Sequence, residues 1–140
     1  MDWRSWDAAG FVCVPLHEDY RPAIQWRRLA QTPPARAMDL HPRFAVRTTS
    51  ERAVIDIDRH PGGADGAAEL LRRGFALPPG GGVPSRSGNG LHVWVSGWVI
   101  PTSSPGLGPA PGVDVRGVGG LVFPASDPPS LPLPAAPAWL

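Results

Sequence analysis

Hydrophobic residues along this chain fall mostly into short runs that alternate with polar residues at every second position, the period of a strand with one buried face. Only two stretches carry helical spacing. Residues 2–9 predict a short helix, with Asp2 placed to cap it, Trp3 and Trp6 one turn apart, and Gly10 as the stop. Residues 64–73 predict a second, built from good helix formers and closed by Gly74. Strands are expected at 11–14, where Pro15 ends the run, at 44–48 and at 53–58, the strongest strand signal in the chain. Further strands are expected at 83–86, 91–96, 113–116 and 121–123, joined by tight Gly-rich turns. Residues 16–43 read as irregular, with a helical turn or two around 24–30, and 101–112 read as a Pro/Gly/Ser loop. The proline-rich tail, 124–140, is unsuited to helix or central strand and is expected to lie extended, anchored by Trp139. This order of elements predicts an α+β fold, a mixed or antiparallel sheet with flanking helices. It also predicts one domain over 1–140, with a compact core at 1–123 and the tail packed along it.

Composition changes the picture in one respect. The 140 residues include 17 Gly and 19 Pro, concentrated after residue 77, a level at which disorder has to be considered. Against it stand 42% hydrophobic residues and six Trp, enough apolar surface to offset ordering entropy. A loop-heavy domain is expected, rather than a long bundle, a coiled coil or a multidomain enzyme. The net charge is +1, so no global basic field points to nucleic acid. All thirteen basic residues are Arg; coding bias accounts for this, yet every cation is then a planar fork suited to carboxylate or phosphate. Cys13 is the only cysteine, which excludes a disulfide framework and a zinc ribbon, and its apolar neighbours mark it as a buried structural thiol. No apolar run approaches the ~20 residues that span a bilayer, and the start of the chain has no signal-peptide pattern. The expectation is a cytoplasmic protein with no membrane partner.

Candidate chemistry sits on three of the strands. In Val54-Ile55-Asp56-Ile57-Asp58 the alternation puts Val54, Asp56 and Asp58 on one face and both Ile on the other. Two like charges about 7 Å apart along a strand repel unless a cation lies between them, so the pair is either solvated or holds a hard divalent ion. In Leu91-His92-Val93-Trp94-Val95, His92 and Trp94 share a face, and the strand is entered through Ser87-Gly88-Asn89-Gly90. That turn is either a plain hairpin or, with Arg86 and the Ser87 hydroxyl, a receiver for phosphate oxygens. In Val113-Asp114-Val115-Arg116 one carboxylate and one guanidinium project together, as a self-paired ion pair or as part of a site. If the three strands share a sheet, three carboxylates converge beside a His, an Arg and a Gly-rich turn. That is the equipment for two-metal phosphoryl or nucleotidyl transfer.

In this order the motifs resemble the bifunctional DNA primase/polymerase (prim-pol) N-terminal family of the archaeo-eukaryotic primase superfamily, of phage and plasmid type. The similarity runs through Phe11-Val-Cys-Val-Pro-Leu16, Arg21-Pro22 and Trp26, then Phe44–Thr48 leading into Val54–Asp58. It continues through Ser87-Gly-Asn-Gly-Leu-His92 and Gly112-Val-Asp-Val-Arg-Gly117, to Gly119-Gly120-Leu-Val-Phe-Pro124 and the closing Trp139. The resemblance implies a primase-like catalytic core in which Asp56, Asp58 and Asp114 bind two Mg²⁺ or Mn²⁺ ions. His92 would contact the triphosphate of a (deoxy)nucleotide, with Ser87, Gly88, Arg116 and Arg86 as helpers. It implies DNA-directed nucleotidyl transfer in DNA replication, on a single-stranded or primed DNA template. Partners would include a separate helicase or other replication proteins, in a bacterial host or phage-infected cell. Arg72 and Arg73 on the second helix are candidate DNA contacts. Two other readings use the same residues: a nucleotide- or DNA-binding accessory subunit without its own polymerase activity, and a metal-dependent nuclease.

Overall fold

A computed structural model of the chain describes residues 2–60, 62–97, 102 and 108–140. The fold is α+β, with two antiparallel sheets and three short helices among the described residues. The first helix, α1 (Trp3–Ala8), starts where the Asp2 carboxylate accepts the Arg4 N–H, 3.1 Å. It ends at Gly10, whose N–H meets the Asp7 carbonyl while that of Phe11 meets Trp6. The strand β1 (Val12–Leu16) then runs antiparallel to β2 (Arg43–Arg47), which pairs on its other side with β7 (Leu121–Val122). Pro15 does not end β1 but lies inside it, opposite Phe44. β1 is an edge strand, so the missing N–H costs no ladder bond, and the Pro15 carbonyl points outward to the Ala23 N–H, 2.9 Å. The helical turn expected at 24–30 is instead a plain turn. A one-turn helix, α2 (Ala35–Met38), forms later and buries Met38. Pro34 leads it with a fixed φ and no N–H to lose.

A tight turn at Thr49–Arg52, closed by reciprocal backbone bonds, carries the chain into the second sheet. Here β3 (Ala53–Ile57) is central, flanked by β5 (Leu91–Val95) and β6 (Val113–Arg116), with β4 (Gly82–Pro84) outside β5. β4 stops at Pro84, two residues short of its predicted end, because the turn 85–90 begins there: the Ser85 N–H bonds to the Gly90 carbonyl. Between β3 and β4, α3 (Gly66–Arg72) is capped by the Asp65 carboxylate on the Ala68 N–H and closed through Gly74. Its Leu70 joins Ile55, Ile57, Val93, Val95, Val113 and Val115 in the core on one face of this sheet. The tail covers the same face. Trp139 stacks on Phe75 with 5.0 Å between ring centres, and its indole N–H donates to the Ala76 carbonyl, 2.7 Å.

The opposite face meets the first sheet. Val54 and Trp94 pack with Trp6, Phe11, Cys13, Met38, Val46 and Val122. Trp6, Phe11 and Trp94 form a ring cluster with centres 5.0–5.6 Å apart. The sequence pattern placed Val54 and Trp94 with the polar side chains of their strands, and both are fully buried. The reason is the second sheet-and-helix layer, which covers this end of the face and which no strand period reveals. Burial also raises the Cys13 thiol to about 12, in keeping with a structural role. Residues 101 and 103–107 of the expected 101–112 loop lie outside the described residues. Among the described residues no helix is long and apolar enough to cross a membrane.

Candidate active site

The three chemistry-bearing strands are neighbours in one sheet. In its register Asp56 faces His92 of β5 on one side and Asp114 of β6 on the other. Directly opposed positions bring Cβ atoms to about 5 Å, a spacing at which like charges destabilise a sheet. Asp56 is therefore an acid held between a base and a second acid. Its Oδ1 lies 3.5 Å from His92 Nε2, and its Oδ2 lies 3.8 Å from Arg116 Nη2. Both are ion-pair distances without hydrogen-bond alignment. The buried Asp56 Oδ1 has no hydrogen-bond partner among the described residues, nor has the buried His92 Nδ1. An unsatisfied carboxylate oxygen is costly to bury and is the natural seat of a cation.

Asp58 stands one step past the end of β3, pinned through its backbone. Its N–H donates to the Gly112 carbonyl and its carbonyl accepts from Gly66 N–H, both 2.8 Å. Gly112 has φ +77° and its Cα carries no room for a side chain, since a Cβ there would lie 2.7 Å from Gly66 N. Burial first, and then the charges of Asp56 and Asp114, push the Asp58 carboxyl above the usual range. The three Asp thus share one field. Among the described residues no group of three or more His, Cys, Asp or Glu is already set at metal-binding geometry. What supports an ion here is the buried Asp56 oxygen without a hydrogen bond and the raised Asp58 carboxyl, both of which a cation would relieve.

A cavity of about 180 Å³ opens over this end of the sheet, lined by Asp56, Asp58, His92, Arg116, Ser85, Arg86 and Ser87, with 121–123 closing it. Asp114 faces Asp56 in register but is not part of the cavity wall. Nor is Gly88, whose N–H is committed to the Ser85 carbonyl at 3.0 Å. The Asn89 N–H goes to Ser87 Oγ, 3.3 Å. These two N–H groups of the turn are spent holding its own shape, so the phosphate donors it offers are side chains, Arg86 and Ser87. Gly90 must be glycine, because a Cβ would sit 2.5 Å from the Ile57 carbonyl and 3.2 Å from Asp58 Oδ1. Arg72 ends α3 and Arg73 caps it, on the opposite face of the sheet, each paired with Glu69.

Two features of the cavity had no signal in the sequence. Ser85 is buried, with its hydroxyl 3.1 Å from that of Ser87. Phe123 and its neighbours come from the strand that pairs with the other sheet; a bridge between Ser85 and Pro124 draws them alongside. Thr48 helps fix that approach, its hydroxyl donating to the Gly117 carbonyl and accepting from Gly120 N–H.

An antiparallel sheet of an α+β fold thus presents carboxylates, a His and an Arg to one cavity. A sequence model of the bifunctional DNA primase/polymerase N-terminal family matches residues 5–139, and the chain belongs to that family. It is therefore a primase/polymerase-type domain, of a family associated with DNA replication, divalent metals, and binding of DNA and nucleotides. No curated protein and no solved structure matches the chain.

Proposed function

We propose that this domain catalyses DNA-directed nucleotidyl transfer. A primer 3′-hydroxyl, or an initiating nucleotide, attacks the α-phosphate of a (deoxy)nucleoside triphosphate. The new P–O bond forms as the α–β bridge breaks, the hydroxyl proton passes to solvent, and pyrophosphate departs. The observation that carries this reading is the position of Asp56 between His92 and Asp114 in adjacent strands, with a buried oxygen that has no hydrogen bond. Asp56, Asp58 and Asp114 are the residues that would hold two Mg²⁺ or Mn²⁺ ions, which when bound neutralise phosphate charge and activate the attacking hydroxyl.

The chain's own groups do the rest. Asp56 and Asp58 supply negative charge at the sheet end, and their repulsion keeps the pair poised for a cation. His92 is fixed by its strand and by Asp56, so its ring meets a phosphate oxygen without reorganisation. Arg116, at the edge strand beside Asp56, stabilises charge on the departing phosphates. Ser87 and Arg86 bound the cavity on the turn side and orient the triphosphate. The chain would act as one domain over 1–140, its tail bracing the sheet from behind through Trp139 on Phe75.

The test is incorporation of labelled nucleotides on primed and unprimed single-stranded DNA with Mn²⁺. Extension or initiation is expected, and Asp56→Ala abolishes it. Nucleotide binding without incorporation would assign the domain to an accessory role, supporting a helicase or other replication proteins. Strand cleavage independent of nucleotides would assign it to a nuclease.

A further inference from the structure

A second cleft, of about 420 Å³, lies beyond the carboxylate cavity and shares a wall with it. Arg86 and Phe123 line both, and Tyr20, Arg43, Phe44 and Pro124 complete the second. Tyr20 organises it. Arg86 holds its guanidinium carbon 4.1 Å from the Tyr20 ring centre, Arg43 holds its own at 4.4 Å, and Phe123 meets the ring edge-on at 5.8 Å. The tyrosine has φ +68°, a left-handed backbone that a bulky side chain rarely adopts. A tight turn imposes it: His17 N–H bonds to the Arg21 carbonyl and Tyr20 N–H to that of His17. Strain of this kind persists where the surroundings over-determine a side chain's place, and it concentrates at ligand clamps.

The two guanidiniums are aimed but not neutralised. Arg43 Nε donates to the Glu18 carbonyl, 3.1 Å, and among the described residues neither Arg43 nor Arg86 is paired with a carboxylate. Both side chains are exposed. Stacking on an aromatic ring holds each plane in place while its N–H fork remains free for anions. The cleft therefore offers paired cations beside apolar walls. The carboxylate cavity is smaller than the about 300–1,000 Å³ of pockets that enclose a whole small ligand, so the substrates must extend past it. A single nucleic-acid strand carries the matching chemistry, a phosphodiester and a ring face in every unit.

We propose that the Tyr20–Arg43–Arg86–Phe123 cleft is a single-stranded DNA subsite. Arg43 takes a backbone phosphate, the aromatic edges receive a base, and the strand is led past the wall that Arg86 and Phe123 share with the triphosphate cavity, toward Asp56. This rests on the nucleotidyl-transfer reading of the neighbouring cavity. The phosphate could instead belong to the incoming triphosphate, and the two sources separate experimentally.

The experiment follows the full chain by fluorescence anisotropy with an end-labelled oligothymidylate over a series of salt concentrations, and with a fluorescent deoxynucleoside triphosphate plus Mn²⁺. The variants are Arg43→Gln, on an exposed side chain, and Tyr20→Asn, which removes the ring while tolerating the left-handed backbone. Each is expected to weaken oligonucleotide binding about fivefold or more, and Arg43→Gln to reduce the salt slope by about 0.7, with nucleotide affinity held within about twofold. Unchanged oligonucleotide affinity and slope in the folded variants, while the unaltered protein still incorporates nucleotides, would overturn the cleft assignment alone. Weakened nucleotide binding with unchanged strand binding would transfer the cleft to the triphosphate and overturn it too. An unaltered protein that binds neither probe would overturn the nucleotidyl-transfer reading together with it.

Discussion

The same face of the central sheet is a core at one end and a site at the other. At Val54 and Trp94 it is sealed: both residues are fully buried, and the Trp6–Phe11–Trp94 cluster fills the space against the first sheet. Two residues along, at Asp56 and His92, the covering layer stops and a cavity opens. Strand geometry makes the two ends equivalent, since both rows point the same way. What differs is the cover. The aromatic end is closed by α1 and β1, whereas among the described residues the acidic end faces the turn 85–90 and residues 121–123. A closely packed end thus supports an end where like charges are held close, and the packing of one resists the repulsion in the other.

Removing charge at the acidic end should cost activity and spare the fold. Asp56→Asn is expected to lower nucleotide incorporation by about a thousandfold or more, some 4 kcal/mol of barrier, while the denaturation midpoint stays the same or rises. A large loss of stability in this variant would mean that Asp56 is structural and the two ends are not distinct.

The reverse holds at the aromatic end. Trp94→Ala empties the centre of the ring cluster and should destabilise the fold by about 3–5 kcal/mol in a denaturant titration. Since His92 is two residues away on the same strand, incorporation should fall in step with the folded fraction. A variant that keeps full stability would show that the cover is not what supports the site.

Gly90→Ala probes the border between the two. Its added methyl would collide with the Ile57 carbonyl, so a loss of about 1–3 kcal/mol is expected, together with reduced incorporation as Asp58 is displaced.

Asp58→Asn sharpens the comparison in the stabilising direction. The folded protein raises the Asp58 carboxyl, so its protonated form is favoured by the fold. The stability it contributes is fully present below its unfolded pKa and is lost as pH rises through the folded one. In metal-free buffer near neutral pH the variant should melt about 2 °C higher, and its stability should vary less across the acid range. Added Mn²⁺ should raise the melting temperature of the unaltered protein, an increase that EDTA reverses and that Asp58→Asn largely lacks.

The smallest effect concerns Cys13. With its thiol raised to about 12 and fully buried, it should react with a thiol reagent at neutral pH only at the rate of global unfolding. Fast labelling would show that the aromatic end opens locally.

Much of this was legible in residue order because strands and turns are local. The alternation in Val54–Asp58, 91–95 and 113–116 assigns each side chain to a face, and these strands occur within a residue of where the alternation puts them. Asp2 and Gly10, and likewise Gly74, mark helix ends by bonds that span only a few residues. The candidate acids and His92 followed from the same alternation. Pro15 misled because its effect depends on whether the strand is at an edge, which is a property of the sheet. The turn at 24–30 places no side chain in the core, whereas Met38 is packed in one.

By itself the sequence determined the period of the strands that carry the site, the face each acid occupies, and the family to which the chain belongs. Only the tertiary structure decided that β3 would lie between β5 and β6, so that Asp56 falls between His92 and Asp114. It alone decided that Val54 and Trp94 would be core, and that Tyr20, Arg43 and Phe123, distant in sequence, would meet beside the cavity. The reason is that a strand's own pattern is set within a few residues, whereas its neighbours are chosen by the burial of whole faces across the chain.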